Sequence, residues 1–87
     1  MLLGVVIGTV VSTRKHDALR GAKFLLVRTE EQDASQGLVV VDHLGAGMGD
    51  RVLLSLGSAA RIAYGDLEAP VDAAVVGIVD SVETGAR

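Results

Sequence analysis

The chain contains no cysteine and no tryptophan, and only one tyrosine, one phenylalanine and one proline among its 87 residues. Without cysteine there is no disulfide framework and no thiolate zinc site, and the redox compartment is left open. The two histidines, His16 and His43, stand apart and have no metal-ligand spacing around them. With Phe24 and Tyr64 as the only aromatics, there is little to stack against nucleotide bases. Positive charge is also scarce. Eight Lys and Arg face eleven Asp and Glu, for a net charge of −3, and no basic block reaches five residues. That balance argues against a nucleic-acid footprint and against binding to an anionic membrane surface. The apolar opening over 1–11 is too short to span a bilayer and has no positive leader before it. The expectation is a single cytoplasmic domain over 1–87, with no cofactor, no metal, no nucleic-acid partner and no membrane partner.

Aliphatic residues are abundant instead. Nearly half the chain is hydrophobic, 49%, although a domain this short buries only about 60–65% of its unfolded surface. Small domains compensate through disulfides, metals or association. The first two are excluded, and the surplus of aliphatic surface points to contacts between subunits.

The chain is punctuated around residues 42–61, where Gly45, Gly47 and Gly49 form one bend and Gly57-Ser58 a second. Residues 2–13 read as a first strand, apolar on both faces: Leu3, Val5, Ile7 and Val11 on one, Leu2, Val6 and Val10 on the other, with Gly4 and Gly8 on the second face. Glycines in a strand mark a bend, a bulge or a close backbone approach. A polar connection over 14–21 follows, pinned by Leu19. Strands over 22–30 and 38–43 flank a polar turn at 31–37 that carries no apolar anchor, so mobility is expected there. A fourth strand covers 50–56 and a last one 71–82, and the tail 83–87 is expected to fray. The only helix expected is 58–63, with Ser58 as its N-cap and Gly65 as its stop. Five strands with one short helix between the fourth and fifth predict an all-β, OB-like barrel.

No catalytic constellation emerges. The bend at 45–49 has the glycines of an anion-cradling loop, but Asp50 stands where a dinucleotide site needs glycine, and a strand follows where a helix is required. The carboxylate pairs Asp42/Asp50 and Asp72/Asp80 have no nucleophile or metal pattern beside them. His43 and Asp42 are neighbours on a strand and so face opposite ways. Arg61 serves equally as an intrachain ion-pair partner or as an interface anchor. The OB barrel also permits an oligonucleotide-binding or small-ligand module, the alternative reading, but these residues do not supply its aromatics or its positive groove.

Six segments in order carry a resemblance. They are 3–11 (Leu-Gly-Val-Val-Ile-Gly-Thr-Val-Val), 13–15 (Thr-Arg-Lys), 19–23 (Leu-Arg-Gly-Ala-Lys), 42–49 (Asp-His-Leu-Gly-Ala-Gly-Met-Gly), 57–61 (Gly-Ser-Ala-Ala-Arg) and 70–80 (Pro-Val-Asp-Ala-Ala-Val-Val-Gly-Ile-Val-Asp). Together they span nearly the whole chain, which resembles the pentameric vertex proteins of bacterial microcompartments, the EutN/CcmL-type shell proteins. The departures are the short turn 31–37, His43, Met48 and the residues after Val82; they bear on pore lining and partner choice. The resemblance implies a non-enzymatic, OB-like barrel that assembles as a cyclic homopentamer and meets hexameric and trimeric shell proteins. Gly45, Ala46, Gly47, Met48 and Gly49 are then expected near the five-fold axis or pore. Leu3, Val5, Ile7, Ser58, Ala59, Ala60 and Arg61 are expected at subunit interfaces, and Arg14, Lys15, Arg20 and Asp66 are expected to face shell partners. A bulky residue at Ala46 is expected to disturb the ring.

Overall fold

The computed structural model describes residues 1–30 and 37–85. Its strands are β1 (Leu2–Val10), β2 (Lys23–Thr29), β3 (Leu38–Asp42), β4 (Arg51–Leu56) and β5 (Ala73–Ile78), with one helix, α1 (Ser58–Tyr64), between β4 and β5. The strands close into a barrel in the order β1-β2-β3-β5-β4. Every pairing is antiparallel except β3 with β5, which run parallel and join through the single pair Val41 and Ala74. The expected five-stranded barrel with a helix before the last strand is therefore the observed fold.

Alternation along the strands sorts the apolar residues into two cores. Val6, Leu25, Val27, Val40, Val52, Leu54, Ala73 and Val75 point inward and fill the barrel together with Ala46. Val41, Ala60, Ala69, Val71 and Ala74 form a second cluster, joined by Leu19, Phe24 and Tyr64. Successive β5 residues alternate between the two, with Ala73 and Val75 inside and Ala74 in the second cluster. The apolar pin Leu19 thus has a packing role.

The expected strand boundaries shift by one residue at ends of β2, β3 and β4, and by more in β1 and in β5, whose expected end at residue 82 moves back to Ile78. β1 stops at Val10, three residues early, because the chain turns on its own polar groups. The Ser12 hydroxyl donates to the Arg14 carbonyl at 2.6 Å and Lys15 Nζ donates to the Ser12 carbonyl at 2.8 Å. The connection that follows contains a 3-10 turn at Asp17–Leu19. β5 starts at Ala73 because Val71 N–H is taken by Ala69 O in a tight turn, 2.8 Å. The turn over 31–37, except for Gly37, lies outside the described residues, as do the last two residues of the tail. Glu83, Thr84 and Gly85 are exposed coil.

A further correction concerns the face shared by Gly4 and Gly8. The β1–β2 register slips between Val6 and Gly8, which is a β-bulge at Ile7. One extra residue reverses the alternation. Gly4 points inward beside Val6, where a Cβ would run into Val27 Cγ1 and lie 3.0 Å from Arg28 O. Gly8 instead lies beside Leu26 with ordinary clearance of 3.7 Å.

Candidate functional site

The glycine bend after β3 is built on a buried carboxylate. Asp42 ends β3 and is almost fully enclosed. Its side chain accepts from the N–H groups of Leu44 at 2.8 Å, Gly45 at 3.2 Å and Ala46 at 2.7 Å. Asp50 closes the other end, with Oδ2 accepting from Gly47 N–H at 2.8 Å. Lys23 Nζ donates to the Ala46 carbonyl at 2.7 Å. Val6 exchanges two backbone bonds with Asp50 and Gly49, both 2.9 Å. Gly45 and Gly49 hold φ of 89° and 85°, a backbone region that glycine enters without steric cost. The anion-cradle reading thus has a physical resolution: the amides that a phosphate would need already bind the chain's own Asp42. The pair Asp42/Asp50 is likewise committed to backbone, not to acid–base work.

These anchors decide what the bend presents. Ala46 is fully buried in the barrel core, so it is corrected from a pore candidate to a core residue, and a large residue there tests folding before it tests assembly. Gly45 and Gly49 are exposed and Gly47 is half-buried. Met48 stands out from the bend with 68% of its surface open, and Leu44 on the approach with 53%. Sequence reasoning missed Asp42 as the support of the bend. A carboxylate two to four residues ahead of glycine-rich backbone is an Asx-type turn signal.

The second bend has a different capping residue from the one expected. Gly57, with φ 63° and ψ −136°, is the N-cap, and no side chain closes the helix start. Ser58 is the first residue of α1, exposed, and makes no cap bond. The chain must reverse sharply from β4 into α1, and this backbone geometry is open to glycine but not to serine. Gly65 ends α1 in the left-handed conformation, as expected, with its N–H bonding Arg61 and Ile62 carbonyls. Ser58 and Ala59 are exposed and Arg61 is half-buried, with no ion-pair partner among the described residues. Ala60 is fully buried under α1, so its side chain is corrected from interface candidate to intrachain packing.

Tyr64 ties three segments together. Its hydroxyl donates to the Ala18 carbonyl, and its ring meets His43 edge-on with centroids 5.0 Å apart. Phe24 and Tyr64 both pack against the second cluster, so neither aromatic is offered as a base-stacking platform. His43 points away from the buried Asp42, as the strand alternation requires.

Leu3 and Val5 are half-buried on the outer face of β1, and Ile7 at the bulge is 38% exposed. None of the three belongs to either core. The second cluster covers outer faces elsewhere on the barrel and leaves this one open. On the loop after β1, Thr13, Arg14, Lys15 and Arg20 line a polar depression of about 220 Å³. Arg20 pairs with Asp17 at 3.2 Å, both well exposed. Asp66 lies on another loop, outside this depression, and accepts from Glu68 N–H at 2.9 Å. Among the described residues, no three His, Asp or Glu side chains gather as a metal site.

The family model described as ethanolamine utilisation protein EutN/carboxysome matches residues 1–80. The chain is 54% identical over 87 residues to the bacterial microcompartment shell vertex protein GrpN of Rhodospirillum rubrum, covering 97% of this chain and 98% of that one. It is 44% identical over 90 residues to the carboxysome shell vertex protein CcmL of Gloeobacter violaceus, covering 100% of this chain and 90% of the relative. Among solved structures, the GrpN pentameric microcompartment shell protein from Rhodospirillum rubrum superposes with a TM-score of 0.80 at 49% identity, over 97% of this chain and 98% of that one.

Proposed function

Because the chain belongs to the EutN/CcmL family, we propose that it is a structural shell protein, the pentameric vertex cap of a polyhedral bacterial microcompartment in the cytoplasm. The observation that carries this reading is the full-length likeness to a shell vertex protein at 54% identity. The physical chemistry agrees with it. A barrel that leaves Leu3, Val5 and Ile7 uncovered gains stability by burying them against a second copy. A flat hexagonal layer cannot close into a polyhedron without five-fold points, so a ring of five has a geometric task there. Its partners on that reading are hexameric and trimeric shell proteins.

The protein acts without catalysis. Its most conspicuous pair of carboxylates, Asp42 and Asp50, is spent on holding a loop. The oligonucleotide reading is not favoured, since neither aromatic is free to stack and the charge balance is negative.

Within the ring, Gly45, Gly47, Met48 and Gly49 sit toward the five-fold axis, where a bend with little side chain lets five copies approach. Ser58, Ala59 and Arg61 lie toward the seam between neighbours. Arg14, Lys15 and Arg20 face the shell proteins of the facets, together with Asp66. The exposure of Arg14, Lys15 and Arg20 supports their placement, as does their positive charge on an otherwise acidic chain. Native mass spectrometry of the purified protein tests the core of the proposal. A closed five-subunit species is expected, and a stable monomer at micromolar concentration would overturn it.

A further inference from the structure

We propose that the depression on the loop after β1 binds a small, doubly charged oxyanion, inorganic phosphate or a phosphate monoester. The inference goes beyond the shell role proposed above and does not rest on the ring. Thr13, Arg14, Lys15 and Arg20 line a concavity of about 220 Å³, and no Asp or Glu lines it. Three of the eight Lys and Arg of an acidic chain are thus gathered over residues 14–20. Among the described residues, the one carboxylate paired with them is Asp17, 3.2 Å from Arg20 Nε. Three positive charges against one negative leave an excess of two. A phosphate dianion balances that excess, and a lone carboxylate would leave one cation unmatched.

The donors around the concavity are free to turn toward a ligand. The Arg14 guanidinium makes no hydrogen bond or ion pair among the described residues. Lys15 Nζ gives one bond, to the Ser12 carbonyl at 2.8 Å, and keeps its other N–H groups. Arg20 engages Asp17 through Nε and keeps both terminal nitrogens. A guanidinium is a planar fork that matches two phosphate oxygens, while the ammonium and the Thr13 hydroxyl can reach the others. The backbone beneath these side chains is already held. The Ser12 hydroxyl donates to the Arg14 carbonyl at 2.6 Å, and Leu19 N–H donates to the His16 carbonyl at 2.9 Å. Leu19 packs on the second cluster, and the Tyr64 hydroxyl donates to the Ala18 carbonyl. Binding therefore asks for side-chain rotations on a fixed loop, which keeps its ordering cost low.

Other sources of phosphate fit less well. A nucleic-acid strand wants stacking partners beside its phosphates, and no aromatic lines this depression. Phe24 and Tyr64 are packed against the second cluster. A concavity bounded by four side chains suits a small anion better than a long one. The side chains are well exposed, 77% for Arg20, so water and salt screen the attraction, and the affinity expected is about millimolar.

Isothermal titration calorimetry of the whole protein tests the site, with inorganic phosphate and with glycerol phosphate as probes. The buffer is kept at low ionic strength and about pH 8, where the ester, with a second pKa of about 6, is a dianion. Both probes are expected to bind saturably, with a Kd on the order of 1 mM that rises as sodium chloride is added. Sodium acetate at matched ionic strength is expected to give no saturable heat. Arg14→Ser combined with Arg20→Ser is expected to weaken phosphate binding by at least about tenfold. Arg28→Ser, on β2 opposite Val5, is expected to stay within about twofold of the parent. A thermal scan checks that each variant is folded. Should the double variant fail to fold, Lys15→Gln takes its place, with an expected loss of about threefold or more. No saturable binding of either probe up to about 20 mM would overturn the proposal. So would an equal loss from Arg28→Ser, or equal binding of acetate, since either would reduce the effect to general ion screening. A single-stranded oligonucleotide that binds in preference to the free ester would overturn it in favour of a nucleic-acid surface. Native mass spectrometry of the same samples reads the assembly state separately, so failure of the anion site and failure of the ring are distinguishable.

Discussion

Replacing Asp42 by alanine would leave the N–H groups of Leu44, Gly45 and Ala46 without their shared acceptor, that of Ala46 in the buried core. Hydrogen bonds to a charged group are worth about 1.5–3 kcal/mol each, and three that share one carboxylate are not additive. Asp42→Ala is therefore expected to lower unfolding stability by about 3 kcal/mol, read by urea denaturation at fixed protein concentration. The two β1 glycines give a paired prediction. Gly4→Ala drives a Cβ into Val27 and the Arg28 carbonyl and is expected to cost about 1–3 kcal/mol. Gly8→Ala finds its nearest neighbour at 3.7 Å and is expected to be within about 0.5 kcal/mol of the parent. Equal losses at the two sites would contradict the bulge that separates their faces.

At the scale of elements, α1 is too short to be stable alone and depends on its packing and its ends. Its first turn is set by the backbone of Gly57, not by the hydroxyl of Ser58. Ser58→Ala should therefore change the thermal midpoint little, by less than about 0.5 kcal/mol equivalent. Gly57→Ala, forced into a conformation that side chains resist, is expected to cost about 1–3 kcal/mol. The reverse order would restore serine as the cap. The expected serine cap is not the one observed. Ser-Ala-Ala after glycine fits a cap at Ser58 or one residue earlier, and only the sharp reversal out of β4 selects Gly57. β1 shows the same limit. Its β-branched run and two glycines were legible as a strand with a bulge or a close approach, but the bulge position depends on the β2 register, which no local pattern carries.

At the scale of the whole molecule, the barrel is complete as a fold while its surface is incomplete as a solvent boundary. On the function proposed above, ring formation would supply the missing cover, and the bend at 45–49 would report on its centre. If Met48 lies toward the five-fold axis, Met48→Arg brings five like charges together there. The expected outcome is a ring that dissociates at low ionic strength and recovers as salt screens the charges, followed by native mass spectrometry and light scattering. A ring indifferent to salt would move Met48 away from the axis.

The sequence alone determined the class of the fold, because strand alternation, glycine punctuation and one alanine-rich segment are local signals that the barrel leaves intact. Its composition also left out the cysteines that a disulfide framework or a thiolate zinc site needs and the aromatics that a base-stacking platform needs. The ordered segments carried the family, and the structural likeness agrees. Tertiary structure alone decided which small residues face inward. Ala46 and Ala60 looked like surface segments suited to close subunit contact, yet both are fully buried in their own chain. A small side chain fits a tight core and a tight interface equally well, so its sequence context cannot separate the two. Tertiary structure also decided that Asp42 is a structural anion, because its partners are backbone amides whose direction is fixed only when the bend closes against Val6 and Lys23.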